Sequence, residues 1–274
     1  MKFDCHVHTI YSDGIKSVFE QAEEAKAVGL GGFALTDHDT IDGWKDISAA
    51  EKASDIRIIP GVELSTDWQK RSVHILGYGI TNMDLFRGEL ISLREARSRR
   101  IAAMVEKLRT MHMDITFAEV QAKAGEGTMG RPHIAAILAE KGYVKDKQHA
   151  FERYINRGKP AYVPRDPFSP MDGISLIKRC GGYAVLAHPG LDRTYEFLDL
   201  LCDCGLDGLE AYHSAHYPAL SEKFCRLAKE RGLAITAGSD DHGYRDEKHG
   251  TIGKPSLDES LLPHFMKEYL EEYR

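Results

Sequence analysis

The stretch Phe3-Asp4-Cys5-His6-Val7-His8-Thr9 combines a short strand pattern with two histidines that are separated by one residue. Side chains alternate between the two faces of a strand, so His6 and His8 project to the same side. Polar groups also follow the later strand patterns, and they are Asp37, His38, Asp39, Glu63, His74, His188, His213, His216, Asp240, Asp241 and His242. The carboxyl ends of the strands of a β/α barrel meet at one edge, so we expect these groups to converge there.

The order of the helix and strand patterns predicts an α/β fold. Strand patterns alternate with helical patterns at the start of the chain and again in its last third, and this rhythm favours a parallel sheet or barrel. Pro60 indicates the carboxyl edge of the third strand, and residues 73–77 have the pattern of the next one. Six or seven strand–helix units predict a closed or nearly closed β/α barrel.

Residues 85–160 differ from the rest, because they carry several helical patterns and no strand signal. We therefore expect a helical insert at 85–160, between two barrel segments at 1–84 and 161–274. An arginine-rich helical pattern over 90–112 is typical of a solvated helix face, with a phosphate-binding surface as the alternative.

Composition excludes several other classes of protein. The chain has 274 residues, of which 42% are hydrophobic and 28% charged, and this suits a globular protein with a sizeable core. Its net charge of −6 argues against a broad basic surface, so we expect no duplex nucleic acid as a partner. The absence of a long apolar run predicts no membrane span and no secretory signal. An odd count of five cysteines predicts reduced thiols and a cytoplasmic location.

The polar groups at the strand ends predict a metal site. Burying so many imidazoles and carboxylates without cations would leave large desolvation costs unmet. Cys5 alternates to the opposite face from His6, so the set contains nitrogen and oxygen but no thiolate. Such ligands suit Mn²⁺, Fe²⁺ or Zn²⁺.

At these residues the sequence resembles the PHP (polymerase and histidinol phosphatase) family of the amidohydrolase superfamily. The motifs span nearly the whole chain and are Asp4-Cys5-His6-Val7-His8-Thr9, Ser12-Asp13-Gly14, Leu35-Thr36-Asp37-His38-Asp39, Pro60-Gly61-Val62-Glu63, His74, Ala187-His188-Pro189-Gly190 and Gly238-Ser239-Asp240-Asp241-His242. The resemblance implies a distorted, TIM-like (β/α)₇ barrel with three divalent metal ions, namely Mn²⁺ or Fe²⁺, with Zn²⁺ as an alternative.

The resemblance also implies which residues bind each metal. The ligands of the first metal would be His6, His8, Glu63 and Asp240. Glu63 would bridge to a second metal that also takes His74 and His188, and the third metal would take Asp13, His38 and His242. Neighbouring carboxylates are candidates for orienting these ligands, and they are Asp37, Asp39 and Asp241, with Asp4 as another.

The insert carries Gly130-Arg131-Pro132-His133, which is similar to a subgroup of TrpH-like and YciV-like phosphoesterases and 3′,5′-nucleotide bisphosphate phosphatases. This similarity implies that the insert covers the barrel mouth and binds substrate. The implied phosphate contacts are Arg131, His133, His216 and Lys159, with Tyr162 and Arg165 as further pocket residues. A surface salt bridge is the alternative for Arg131.

The resemblance implies a hydrolase that acts on a small phosphorylated substrate. We hypothesise that Glu63 is the shared ligand of the first two metals and that a hydroxide bridging these metals attacks phosphorus. His216 or His188 would protonate the leaving oxygen. The expected substrate is a 3′,5′-bisphosphate nucleotide or the 5′ end of a short oligonucleotide. The alternatives are a cyclic sugar-phosphate phosphodiesterase, a histidinol-phosphatase-like enzyme, and a non-enzymatic accessory module of a DNA polymerase.

Overall fold

Eight strands form one sheet at the centre of the fold in the computed structural model, which describes residues 1–125, 129–164, 168–244 and 249–272. The strands are β1 (Lys2–Val7), β2 (Gly32–Leu35), β3 (Arg57–Trp68), β4 (Arg71–Tyr78), β5 (Tyr183–Leu186), β6 (Gly208–His213), β7 (Ala234–Gly238) and β8 (Leu257–Asp258). Their spatial order is β7-β6-β5-β4-β3-β2-β1-β8. The predicted α/β barrel class is confirmed.

Helices connect most of these strands. The α-helices are α1 (Val18–Ala27), α2 (Ile47–Ser54), α3 (Met83–Thr110), α4 (Phe117–Ala124), α5 (Arg131–Glu140), α6 (Lys147–Ala150), α7 (Pro170–Arg179), α8 (Leu198–Asp203), α9 (Pro218–Glu230) and α10 (His264–Glu272). Serine or threonine caps several of them, as Ser17 does when it accepts a hydrogen bond from the backbone N–H of Glu20. Within the described ranges, no helix is both long and apolar enough to cross a membrane.

The barrel closes where β1 meets the residues that follow β7. Asp240 N–H donates to His6 O at 2.9 Å, and His8 N–H donates to Asp241 O at 2.9 Å. This closure brings the first and last strand ends together, although more than 230 residues separate them along the chain.

The parallel arrangement that the strand–helix rhythm favoured does not extend to β4, which runs antiparallel to both β3 and β5. Only Gln69 and Lys70 connect β3 to β4, whereas a parallel crossover needs a dozen or more residues. Both residues have positive φ, at 44° and 69°, as a two-residue hairpin turn requires. Asn-Gly and Asp-Gly are the dipeptides that usually indicate such a turn. Because Gln69-Lys70 is of neither type, the sequence gives no signal for this hairpin.

The expected end of β3 near Pro60 is also wrong, because the strand continues to Trp68. Pro60 lies opposite Leu35, the last residue of β2, where the regular β2–β3 pairing ends. A proline can therefore occupy this position, although it offers no N–H to a ladder.

The chain divides into two compact units. One comprises Met1–Gly88 and Phe168–Arg274, and the other comprises Glu89–Pro167. The first unit has buried apolar clusters, one of which contains Phe3 of β1, Tyr78 of β4 and Phe265 of α10. The second has its own apolar core, with Ile101, Leu108 and Ile134 among its buried side chains.

Gly32 on β2 gives a test of how closely the strands pack. A Cβ there would lie 2.3 Å from Arg57 O and 2.4 Å from Phe3 Cε1. We expect Gly32→Ala to lower the free energy of unfolding by about 1–3 kcal/mol, measured by urea titration, because a backbone oxygen cannot move aside cheaply. Gly88→Ala is the matched control, since nothing lies within 4 Å of its added methyl group. Equal stabilities of the two variants would contradict this packing argument.

Candidate metal centre

The two histidines of the opening motif lie side by side, as their spacing predicts. Their Nε2 atoms are 3.0 Å apart, and neither side chain is exposed. Both approach the carboxylate of Asp240, with His6 Nε2 at 3.4 Å and His8 Nε2 at 3.1 Å from Oδ1. One strand end and the loop after β7 thus present nitrogen and oxygen atoms to a common point.

Glu63 lies at the middle of the centre. Its Oε1 is 2.8 Å from His74 Nδ1 and 2.9 Å from His188 Nε2. Its Oε2 is 3.2 Å from His6 Nε2, 3.1 Å from His8 Nε2 and 3.1 Å from His38 Nδ1. Five imidazoles therefore surround one carboxylate, as a bridging ligand requires.

Glu63 and His74 do not follow strands, as the sequence suggested, but lie inside β3 and β4. The hairpin carries both strands past the level at which β1 and β2 end. Glu63 is also paired with His38 in an isolated parallel bridge, through which the β2 end contacts β3. An antiparallel strand can therefore supply a ligand from its middle.

A further group of side chains gathers around Asp13. Its Oδ1 is 3.1 Å from His242 Nε2 and 3.9 Å from His8 Nδ1. The rings of His8 and His242 stack at 4.1 Å between centroids. With His38, these residues form one of the groups whose ligand atoms lie within 4.8 Å of one another.

The donor set fits divalent cations. Asp13 Oδ1, Glu63 Oε2, Asp240 Oδ1 and His188 Nδ1 are buried and make no hydrogen bond within the described parts of the chain. Imidazole nitrogens lie 3.1–3.9 Å from the three carboxylate oxygens without meeting hydrogen-bond geometry. Buried carboxylates without donors are costly, and cations coordinated by these nitrogen and oxygen atoms would remove that cost.

Mutual charge shifts the pKa values within this cluster. Burial opposes ionisation of Glu63, but His38, His6 and His74 hold the pKa of its carboxyl well below the usual range. Burial likewise opposes protonation of His8, yet Asp240 and Glu63 raise its pKa to about 10. Glu63 and Asp240 therefore favour the charged form of His8, and the surrounding imidazoles favour the charged form of Glu63.

Backbone strain marks the same strand ends. His188 and Asp240 have positive φ, at 27° and 55°, and Asp39 has a φ of 52°. Such conformations cost about 1–3 kcal/mol each for non-glycine residues and cluster at functional sites. The strain aims the side chains of two candidate ligands at the centre.

Three of the carboxylates predicted to orient ligands accept hydrogen bonds from the surrounding segments. Asp37 accepts hydrogen bonds from Thr9 N–H and from the hydroxyl of Ser12, whose Oγ is 3.4 Å from His8 Nδ1. Asp39 accepts from Ser65 N–H, and Asp241 accepts from the side-chain amide of Gln21. Their role in orienting imidazoles stays a prediction.

His216 is engaged by the backbone on both sides of its ring. Gly190 N–H donates to Nε2 at 3.1 Å, and Nδ1–H donates to Ala211 O at 3.2 Å. Burial lowers the pKa of this imidazole to about 4, so it is neutral near pH 7. The ring ties the loop after β5 to β6. Its predicted contact with substrate would require it to give up one of these bonds.

The other predicted substrate-binding residues lie in the second unit. Arg131 is the first residue of α5, and its guanidinium lies 5.7 Å from the ring centroid of Phe151. His133 caps the same helix, because its Nδ1 accepts a hydrogen bond from Gly130 N–H at 3.0 Å. Lys159 is exposed in a turn that follows Asn156, and Arg165 lies outside the described residues.

Sequence reasoning missed Glu210 and His249, whereas it expected His213 at this edge of the barrel. Glu210 on β6 contacts His6, and His213 Nε2 lies 3.5 Å from Asp240 Oδ2. The ring of His249 lies 4.3 Å from that of His242. A carboxylate inside the apolar strand pattern of residues 208–211 was the available signal for Glu210, whereas no local pattern distinguishes His249.

Known proteins resemble this chain over most of its length. It is 34% identical to a 3′,5′-nucleoside bisphosphate phosphatase of Chromobacterium violaceum over 257 residues, which cover 90% of each chain. It is 33% identical to a 5′-3′ exoribonuclease of Haemophilus influenzae over 247 residues, covering 88% of this chain and 90% of the other. A structure from Bifidobacterium adolescentis, described as a metal-dependent phosphoesterase, superposes with a TM-score of 0.85 at 31% identity, covering 98% and 95%.

The barrel, the buried imidazole–carboxylate centre and these similarities define a metal-dependent phosphoesterase. The PHP domain family matches residues 4–149, more than half of the chain. The chain belongs to the PHP family. The predicted family and enzyme class are confirmed, and the non-enzymatic alternative is not favoured.

Removing the central carboxylate tests the centre. We expect Glu63→Ala to lose most bound Mn²⁺ and nearly all phosphatase activity while remaining folded, because five imidazoles lose the anion between them. Metal content after dialysis, circular dichroism and phosphate release provide the three measurements. The control is Glu51→Ala, which removes a carboxylate that accepts from Ile58 N–H on β3 but lies outside the metal-ligand groups. Normal metal content and activity in the Glu63 variant would rule out the bridged centre.

The raised pKa values of His6 and His8 predict that metal binding displaces protons. Below those pKa values the rings hold protons that a cation must remove, so affinity for Mn²⁺ should be weaker at pH 6 than at pH 8. Calorimetric titration in two buffers of different ionisation enthalpy measures the released protons directly. Proton release of zero together with a pH-independent affinity would contradict this expectation.

Proposed function

We propose that this phosphoesterase hydrolyses a phosphate ester of a small nucleotide, either a 3′,5′-bisphosphate or the 5′ end of a short oligonucleotide. The observation that carries the proposal is the gathering of all nine predicted ligand residues around Glu63 and Asp13, in a chain that matches a bisphosphate phosphatase over 90% of both lengths. Cleavage of short RNA is included because another relative is named as an exoribonuclease.

We assign three divalent ions to this centre, Mn²⁺ or Fe²⁺ with Zn²⁺ as the alternative. His6, His8, Glu63 and Asp240 would hold the first. Glu63, His74 and His188 would hold the second, and Asp13, His38 and His242 the third. When bound, the ions supply Lewis acidity that activates water and neutralises the phosphoryl oxygens.

The protein's own groups hold this arrangement in place. The two oxygens of Glu63 face different sets of imidazoles, so one carboxylate fixes the spacing between the first and second positions. Asp13 and His242 come from loops after β1 and β7, and barrel closure brings those loops together. The ring of His216 holds the loop that carries His188, which we propose keeps that ligand oriented.

The amino terminus of α5 supplies groups suited to phosphate. Main-chain N–H groups at a helix start favour an anion, and Arg131 is the first residue of this helix. Because His133 Nδ1 accepts the Gly130 N–H, its neutral ring carries the proton on Nε2. We propose that these two residues bind a phosphate group of the substrate.

We also propose a cytoplasmic location. The five cysteines are all free thiols, at positions 5, 180, 202, 204 and 225. Free thiols suit a reducing compartment, in which structural disulfides are rare.

A substrate panel tests the proposed function. Protein loaded with Mn²⁺ is assayed on adenosine 3′,5′-bisphosphate, a 5′-phosphorylated trinucleotide, a cyclic ribose phosphate and histidinol phosphate. We expect the first two to give the highest kcat/KM. Release of inorganic phosphate indicates monoester cleavage, whereas release of a nucleoside 5′-monophosphate from the trinucleotide indicates diester cleavage. Preference for either of the other compounds would overturn the nucleotide assignment.

Arg131→Ala should lower kcat/KM for the preferred substrate by about 30-fold, the kinetic equivalent of about 2 kcal/mol, because a guanidinium–phosphate contact is lost. Metal content should stay unchanged. Arg109→Ala is the control, since Arg109 is 58% exposed and pairs with Glu106 on the surface. Equal activity in both variants would show that Arg131 does not contact substrate.

A further inference from the structure

A carboxylate inside β6 connects two candidate metal ligands, one on β1 and one in the loop after β5. Glu210 is completely buried. Its Oε1 lies 3.0 Å from His6 Nδ1, and its Oε2 accepts a hydrogen bond from His188 N–H at 2.6 Å. We propose that Glu210 is a positioning residue that fixes His6 and His188 together in the geometry that binds metal. This inference rests on the metal centre proposed above.

The contact with His6 decides which ring nitrogen is available to a metal. A carboxylate can only accept, so Nδ1 of His6 must carry the proton that it donates to Glu210. In the neutral ring, Nε2 then keeps its lone pair. That lone pair faces the centre, with Nε2 3.2 Å from Glu63 Oε2 and 3.4 Å from Asp240 Oδ1. Glu210 thus selects the tautomer of His6 that can act as a ligand.

The contact with His188 fixes a residue whose backbone is strained. The φ of His188 is 27°, which is unfavourable for a residue with a side chain. Its N–H donates to Glu210 at this position, and the side-chain Nε2 meets Glu63 Oε1 at 2.9 Å. One carboxylate therefore orients a ligand of the first proposed metal and holds the backbone of a ligand of the second.

The neighbouring strands are shaped to admit this carboxylate. The β6–β7 register shifts between Glu210 and Tyr212, and the β1–β2 register shifts between Asp4 and Val7, on either side of His6. Such irregularities turn side chains toward functional sites. On β7, a Cβ at Gly238 would lie 2.2 Å from His6 Cβ and 2.4 Å from Glu210 Oε1. Only glycine leaves room for the His6–Glu210 pair.

Glu210→Gln is the direct test, because it keeps the shape of the side chain but replaces one of its two accepting oxygens with an NH₂ group. The single amide oxygen can serve His6 or His188, but not both. If the amide NH₂ faces His6, Nδ1 must accept, and the proton moves to the nitrogen that should bind metal. We expect affinity for Mn²⁺ to fall by about 10- to 100-fold, measured by equilibrium dialysis with elemental analysis. The rise in Tm on adding Mn²⁺ should shrink accordingly.

The matched control is Asp207→Asn at the start of β6. Asp207 Oδ2 accepts from Ala184 N–H at 2.8 Å and pairs with Lys178, so it ties β6 to β5 without touching a candidate ligand. We expect this variant to be less stable but to bind Mn²⁺ with unchanged affinity. Unchanged Mn²⁺ affinity in folded Glu210→Gln as well would limit Glu210 to a structural role and overturn the inference.

A measurement on the unmodified protein keeps the test decisive if the Glu210 variant does not fold. Nitrogen-detected NMR of the Zn²⁺-loaded protein should show His6 protonated at Nδ1 and not at Nε2, since Zn²⁺ is diamagnetic. A His6 ring protonated at Nε2 would falsify the inference. Failure of the unmodified protein to bind Mn²⁺ or Zn²⁺ would instead overturn the metal centre itself, so the two failures are distinguishable.

Discussion

The carboxylate of Glu63, enclosed by five imidazoles, is the constraint on which the rest of the centre depends. The rings belong to His6, His8, His38, His74 and His188. A carboxylate only accepts hydrogen bonds, so protons or cations must lie between its oxygens and the lone pairs of the surrounding rings. Side chains from β1, β4 and the segments after β1, β2 and β5 enclose this buried carboxylate. This is why the site belongs to a metal-dependent enzyme rather than to an ordinary polar core.

Barrel closure is the structural device that makes the centre possible. The backbone of β1 pairs with the residues after β7, so ligands from the two ends of the sequence become neighbours. The β3–β4 hairpin then brings Glu63 and His74 in from the side as antiparallel partners. A regular parallel barrel would present ligands only from strand ends, whereas this one also places them inside two strands. The distortion of the sheet is therefore a direct requirement of the site.

The metal centre and the second unit contribute differently to the proposed function. The centre defines the chemistry, and its residues agree with the PHP family match. The second unit, Glu89–Pro167, has a core of its own and carries Arg131 and His133 at the start of one helix. The proposed substrate contacts of these two residues therefore belong to a different unit from the candidate metal ligands.

The sequence by itself determined the barrel class, the family and the residue types of the centre, because period-two strands and short motifs are local signals. The side chains of His6 and His8 lie on the same face because side chains alternate along a strand, and this follows from three consecutive residues. Only the tertiary structure decided that β4 is antiparallel, that Glu63 lies within a strand, and that His216 is held by two backbone groups. It also decided that Glu210 meets His6, 204 residues away. Contacts across such distances depend on strand register and closure, and no local pattern records them.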